Sequence, residues 1–379
     1  MDNAPPATRH AFLARLGLAD EAARSGVVSA TRDATDRTWQ VWLDFCAELH
    51  VDPLLQTVDD PIAVLQVYAD QVRDGTSSRS GQPVRSATVD SALRDVGQTC
   101  ALLGAADPRL NRMGKLDLRL SRQLRCYRRS EPPPTRVKPI PIDLLQLAVA
   151  TTRADPSATP LLHACSDMTI VAFYFLMRSG EYAVANADSH PFRWADVELF
   201  VGRHRLSTLE ATERDLLSST FVLLTFTTQK NGTRGDKIGH ARSGHDHFCP
   251  VLALVRRILH LRTNHAPITT PINTYFTRRT PHTLTTRAMT AFLRRFVVSH
   301  GRAHGLRPQD VEARSLRSSG AMALLCARVD ADVIQLVGRW KSDTMLRYLH
   351  VQAPPLMSPL AAAMMRGGTF SFHALSTPP

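Results

Sequence analysis

The stretch VGRWKSDTMLRYLH, Val337 to His350, places Arg339, Lys341 and Arg347 within a few residues of one tyrosine, Tyr348. Its ordinary reading is an amphipathic helix, with Met345, Leu346 and Leu349 turned to a core and the charges to water. Charged helix faces are usually only solvated, so the choice between that reading and a chemical one falls to the rest of the chain.

The chain has 379 residues, more than one core usually holds, so two domains are expected. Lys and Arg exceed Asp and Glu by 46 to 34, a net charge of +12. A surplus of that size favours a polyanionic partner, nucleic acid being the commonest; an acidic membrane surface or mere solubility are the other readings. Arg carries most of the charge and suits bidentate phosphate contacts better than Lys. The cysteines, Cys46, Cys100, Cys126, Cys165, Cys249 and Cys326, form no CxxC pair, which argues against a disulfide framework and for a reducing compartment. The N-terminus lacks a signal-peptide shape, and the most apolar run, Thr169–Met177, is far too short to span a bilayer. The expectation is a soluble intracellular protein with no membrane partner.

Five prolines in RRSEPPPTRVKPIPID, Arg128–Asp143, mark an extended linker, assigned to 131–142. Before it, helical stripes run over Thr31–Leu49, Asp60–Gly75 and Arg85–Gly104, the last with Ser86 as a plausible cap. Residues 30–130 therefore read as a helical bundle, and 1–29 as a flexible, partly helical arm. After the linker, a helix at DLLQLAVATT precedes a long apolar helix that turns polar at Arg178. Two strand-like runs follow, DVELFVG and TFVLLTFTTQ, the second leading into Asn231-Gly232, the strongest short hairpin signal. Helices then resume through CPVLALVRRILHLR, TTRAMTAFLRRFVVSHG, RSLRSSGAMALLCARV and DADVIQLVGRW. The fold class is mainly α with one small antiparallel β-sheet, its second domain spanning 143–352.

Four stretches carry candidate chemistry. LMRSGEY sets Arg178 at a helix end with Glu181 three residues on; an ordinary helix pair is the bland alternative. TTQKNG puts Lys230 on a hairpin tip, free to swing and deliver a proton or simply solvated. ARSLRSSGAMALL has Arg317 at a helix start, followed by small residues that admit either a phosphate or a neighbouring helix. The fourth is the stretch around Tyr348.

In this order the four resemble the catalytic domain of the tyrosine recombinases, the phage-integrase family. That family has an Arg with a Glu three on, a hairpin Lys, an H-x-L-R box leading into small residues, and a G-H/W loop before the nucleophilic Tyr. The wording SLRSSGA with GRWKSDTMLRY looks most like the branch carried by eukaryotic mobile elements. By motif the resemblance covers Pro139 to about His350; the linker and the helical bundle match the family's core DNA-binding domain in layout only.

A literal H-x-L-R also occurs at His304, Leu306 and Arg307, but Pro308 and the polar residues after it cannot form the helix the box needs. Arg317 is therefore preferred, and the box histidine becomes Arg314, which cannot serve as a general base near neutral pH. His300 or His304 are the substitutes within reach in sequence. In the G-H/W position Arg339 fits the count back from Tyr348, while Trp340 fits the order of the similar branch; both stay open, with Trp340 favoured. Tyr68 and Tyr127 lie in the first domain, Tyr174 in an apolar helix, and Tyr182 and Tyr275 lack the loop context, which leaves Tyr348. GHARSGHDHFCP carries His240, His245, His247 and Cys249, but no second cysteine supports a zinc site, so these read as loop residues and no metal is assigned.

The resemblance implies a DNA strand transferase. Tyr348 would attack a phosphate and form a 3′-phosphotyrosine, Arg178 and Arg317 would clamp the non-bridging oxygens, and Lys230 would protonate the leaving 5′-oxygen. Arg314 and Trp340 would complete the pocket, with Glu181 and Arg339 in support. A phenol ordinarily ionises near 10, and a cationic pocket favours its attacking anion. No cofactor, metal or ATP is implied. The partner is double-stranded DNA, gripped between the two domains, with Arg85, Arg94, Arg122, Arg125, Arg128 and Arg129 as phosphate contacts. The family acts as a tetramer exchanging a C-terminal segment, for which 353–379, with its capped SPLAAAMMRGG run (Ser358–Gly368), is the candidate. In a eukaryotic host the location would be the nucleus. Two other readings remain: a DNA-binding relative that no longer cuts, and a relaxing topoisomerase.

Overall fold

The structure, a computed structural model, describes residues 5–26, 29–77, 81–132, 137–186, 189–227 and 235–340. Lys230, the Asn231-Gly232 turn, Tyr348 and the segment expected to pass between protomers lie outside these residues. The chain divides into two compact units, Met1–Pro134 and Thr135–Pro379.

The first unit is built from α1 (Pro6–Ser25), α2 (Ser29–Leu49), α3 (Pro61–Asp74), α4 (Ser86–Leu102) and α5 (Leu118–Ser130). The region read as an arm thus contains a helix of 20 residues, and every described side chain on it is exposed. The aromatic stripe of α2 turns inward: Trp42, Phe45 and Cys46 are buried, and Trp42 meets Tyr68 of α3 edge-on at 4.9 Å. The indole N–H, which could not be buried unpaired, donates to the Pro53 carbonyl at 2.9 Å. Leu65, Val89, Leu93, Val96, Leu120 and Leu124 complete this core, each such side chain contributing about 1.5–3 kcal/mol by burial. Asp60 caps α3 by accepting from the Ala63 N–H, and Gly75 ends the helix at φ 98°. Ser86 is not the cap of α4 but its first residue; the Glu131 carboxylate accepts its N–H and pairs with Arg73 at 2.6 Å, so the cap comes from the far end of α5.

The second unit runs α6 (Ile142–Ala154), α7 (Pro160–Tyr174), α8 (Ser179–Tyr182), β1 (Val197–Val201), β2 (His204–Leu206), α9 (Glu213–Leu217), β3 (Phe221–Phe226), β4 (Asp236–Ala241), α10 (Pro250–Thr263), β5 (Thr274–Thr277), β6 (Thr280–Thr283), α11 (Thr286–His300), α12 (Ser315–Cys326) and α13 (Ala331–Gly338). The fold is mainly α with small antiparallel sheets. The main sheet has the order β2-β1-β3-β4, with Leu199 opposite Val222 and Leu224 opposite Ile238. Strict alternation on β3 buries Val222, Leu224 and Phe226. α7, buried from Ala164 to Phe173, lies against α6, α10 and α12.

Three local expectations are corrected here. A second sheet exists, the β5–β6 hairpin, where one was expected. His240 belongs to β4 rather than to the loop after it. The apolar helix ends at Tyr174, Leu176 takes a left-handed conformation (φ 46°), and Arg178 opens the new turn α8 instead of closing α7.

Candidate functional site

The break after α7 creates the site. A helix end exposes carbonyls with no intrahelical donor. Here the carbonyls of Phe175 and Leu176 meet arginines from distant parts of the chain. Arg317, the third residue of α12, is 3% exposed and donates Nη1 to the Leu176 carbonyl and Nη2 to the Gly338 carbonyl at the end of α13. The Trp340 ring covers its guanidinium, 4.1 Å from centroid to Cζ. The small residues after Arg317 permit this approach. A Cβ on Gly320 would lie 2.1 Å from the Phe173 carbonyl oxygen, and the Ser319 hydroxyl accepts the Ile140 N–H at 2.8 Å. These two positions are explained by close helix packing.

Glu181 organises the other half. It accepts the Arg178 backbone N–H at 2.8 Å and Arg178 Nη1 at 2.9 Å, closing the α8 turn on itself. Its second oxygen also accepts Arg339 Nη2 at 2.7 Å. Arg339 sits at the C-cap of α13 with φ 57°, a conformation that usually selects glycine, and donates Nη1 to the Phe175 carbonyl at 3.0 Å. Its guanidinium lies 3.6 Å from the Phe226 ring centroid. Burial pulls the Arg339 pKa down and the Glu181 carboxylate opposes that shift. The Arg178 side chain is 26% exposed and that of Arg339 only 3%, so Arg178 is the more open of the two.

The neighbours Arg339 and Trp340, both candidates for one position, therefore do different things. Trp340 covers Arg317, and Arg339 takes the carboxylate that orients Arg178. Arg314 stands apart: its side chain is 60% exposed and pairs through Nε with Glu312 at 2.8 Å. His304 turns to Asp143, 3.7 Å away.

One participant escaped the sequence reading. Tyr182, set aside for lack of loop context, is fully buried and donates its hydroxyl to the Ala313 carbonyl at 2.7 Å. Burial pushes its phenol well above the usual range. It ties α8 to the residue before Arg314. A buried phenol always needs an acceptor, but only tertiary structure names which.

The histidines of the 240–249 stretch do not converge. His240 is half-buried and edge-on to Phe175 at 4.7 Å, whereas His245 Nδ1 accepts the backbone N–H groups of His247 and Phe248. Among the described residues no group of three His, Cys, Asp or Glu side chains could hold a metal ion.

In the first unit, Arg122, Arg125, Arg128 and Arg129 line α5, all exposed and without an ion-pair partner among the described residues. Arg85 is exposed at the N-cap of α4, and Arg94 pairs with Asp90 at 3.0 Å. No described helix is long and apolar enough to cross a membrane.

No family model matches the chain, and no curated protein does. Solved structures do. The Tn1549 transposon integrase in complex with transposon right end DNA shares 10% identity, with 88% of this chain and 99% of that one covered and a TM-score of 0.45. The XerH site-specific recombinase bound to difH shares 13% over 82% and 98%, with a TM-score of 0.41, and the XerA recombinase 12% over 91% and 95%, with 0.36. The chain is similar to site-specific recombinases. At such TM-scores the likeness transfers no residue role, and the geometry of the arginine cluster has to carry one.

Proposed function

We propose that the chain is a tyrosine recombinase, a DNA strand transferase that cuts and rejoins duplex DNA through a 3′-phosphotyrosine on Tyr348. The observation that carries this reading is convergence. Arg178 with Glu181, Arg317, and the Arg339-Trp340 pair come from three separate motifs and meet around the end of α7. Three unrelated surface pairs would have no reason to share one locus.

In this reading the phosphate meets Arg178 first, because its guanidinium is the more exposed of the two clamping arginines. Arg317, braced by two carbonyls and by Trp340, supplies a fixed positive charge behind it. The Tyr348 phenolate, its proton already lost to solvent in the cationic pocket, attacks phosphorus, the P–O5′ bond breaks, and Lys230 gives its proton to the departing 5′-oxygen. The phosphodiester energy stays in the covalent link, so ATP is not required, and no metal is assigned. α5, with Arg122, Arg125, Arg128 and Arg129, holds the DNA backbone from the first unit, and Arg85 and Arg94 add to it. The active assembly is a homotetramer joined by the 353–379 segment.

A second reading has a specific observation behind it. Arg314 replaces the usual histidine and turns to Glu312, as it would in a relative that binds DNA without cutting it.

Covalent trapping separates the two. The protein is incubated with a complex genomic DNA pool in EDTA, denatured, and assayed for protein-linked DNA beside Tyr348→Phe. An adduct in the natural chain, absent from the variant, is expected, and sequencing the trapped ends gives the target. Binding without an adduct would favour the non-cutting relative. Loss of residues after 352 is expected to abolish assembly on DNA; unchanged assembly would refute the exchange role.

A further inference from the structure

Between Asp246 and Asp310 the chain carries ten arginines and neither Asp nor Glu. The fold takes up half of them. Arg256 binds Asp167 at 2.8 Å, Arg262 the Ala211 carbonyl at 2.7 Å, and Arg294 the Val311 carbonyl at 2.9 Å. Arg257 is buried on the carbonyls of Ile272 and Thr274, and Arg307 pairs with Asp310 at 3.2 Å.

Arg278 and Arg279 are placed differently. They form the two-residue turn of the β5–β6 hairpin, where Thr277 pairs with Thr280, and both have positive φ, 51° and 67°. Among the described non-glycine residues they are the only adjacent pair in that region. Positive φ at both central positions defines a type I′ turn, which Asn-Gly fits and which side chains with a Cβ resist. A backbone held where its residues are disfavoured points to a use for those residues. Both side chains are exposed, as is all of β6, and Arg287 follows in the first turn of α11. None of the three side chains has a hydrogen-bond or ion-pair partner among the described residues.

The root of the hairpin is fixed to the candidate site. The Val184 N–H donates to the Leu284 carbonyl at 2.9 Å, and the Thr286 N–H donates back to the Val184 carbonyl at 2.9 Å. Val184 lies two residues beyond Tyr182, on the strip of chain that carries Arg178 and Glu181. Strands of four residues put the tip about 13 Å from this root. His282 stacks on Tyr275 (5.4 Å, 25°), stiffening the stalk.

We propose that the β5–β6 hairpin is a second DNA-backbone contact, which seats Arg278 and Arg279 on phosphates flanking the one held at Arg178. It rests on the recombinase reading, and it names a surface that reading did not include. Arg278 and Arg279 neutralise one phosphate each, and Arg287 adds charge at the base.

The test uses the full-length chain and a fixed-length duplex, with affinity measured from 50 to 200 mM salt. Arg278→Asn/Arg279→Gly installs the ideal turn. It is expected to melt no lower than the natural chain yet bind more weakly, and to lose about 2 from the slope of log K against log salt. Arg278→Lys/Arg279→Lys and Arg278→Gln/Arg279→Gln share the same turn strain and differ in charge. The Lys pair should keep the slope and the Gln pair should lose it, whatever the Asn-Gly variant does to folding. Natural affinity and slope in the Gln and Asn-Gly variants would overturn the hairpin contact and leave the recombinase reading standing. Failure of the natural chain to bind any duplex would overturn both.

Discussion

The Arg339 guanidinium lies 2.7 Å from the Glu181 carboxylate, 158 residues earlier in the chain. Both groups are buried, and Arg178 shares the same carboxylate. Glu181 thus couples the end of α13, just before the Tyr348 segment, to Arg178, the more open of the two arginines it binds.

Removing Glu181 leaves Arg339 charged and buried without its partner. Glu181→Ala is expected to cost about 3–5 kcal/mol, a fall in Tm of roughly ten degrees for a unit of this size. Glu181→Gln, which keeps a hydrogen-bond acceptor, should cost less. Calorimetry on the two variants checks this; equal and negligible losses would mean the ion pair is not formed.

Tyr182→Phe deletes one hydroxyl and leaves the Ala313 carbonyl buried and unpaired, a cost of about 1–3 kcal/mol. On the proposed recombinase reading the larger effect should fall on DNA cleavage, since the bond fixes α8 relative to the start of α12. Single-turnover rates are expected to drop at least several-fold with DNA affinity unchanged. A rate equal to that of the natural chain would deny the positioning role.

Trp340→Phe keeps an aromatic face over Arg317 and should cost less than about 1.5 kcal/mol, whereas Trp340→Ala uncovers it and should cost about 3–5 kcal/mol. Denaturant titrations distinguish them. Similar losses in both would show that the stack on Arg317 does not matter.

Acid should destabilise the second unit through two half-buried imidazoles. Burial, with Arg257 nearby, lowers the His260 pKa from 6.5 to about 4, and burial lowers that of His240. The folded chain then refuses protons that the unfolded chain binds, so stability is whole above about pH 6.5 and declines as pH falls toward 4. The double variant His240→Phe/His260→Phe should flatten the profile of Tm against pH in that window. An unchanged slope would place the acid sensitivity elsewhere.

The thiols test the proposed DNA face. Burial raises Cys46 and Cys165 to about 12 and Cys100 to about 11, so these should resist a disulfide reagent at neutral pH until unfolding. Cys126 is exposed on α5 beside Arg122, Arg125 and Arg129 and should label readily. Duplex DNA is expected to slow that labelling at least several-fold. Labelling of Cys126 at the same rate with and without DNA would remove α5 from the DNA face.

Much of this architecture is written locally. The stripe of Trp42, Phe45 and Cys46, the cap at Asp60 with its stop at Gly75, and the alternation of β3 are each settled by neighbouring residues, so periodicity and capping read them directly. The β5–β6 hairpin was illegible for the same reason, because Arg278-Arg279 carries none of the turn chemistry that marks a hairpin.

The identity and order of the candidate groups are legible in the chain alone: Arg178 with Glu181, Arg317, then Arg339 and Trp340. Tertiary structure decided which of them touch. The carbonyls that Arg317 and Arg339 find at the left-handed end of α7, the use of Glu181 by two arginines, the link from Tyr182 to Ala313, and the outward turn of Arg314 are all contacts that no local pattern announces. Hydrogen-bond donors choose among acceptors by distance and direction, and those exist only once the chain has folded.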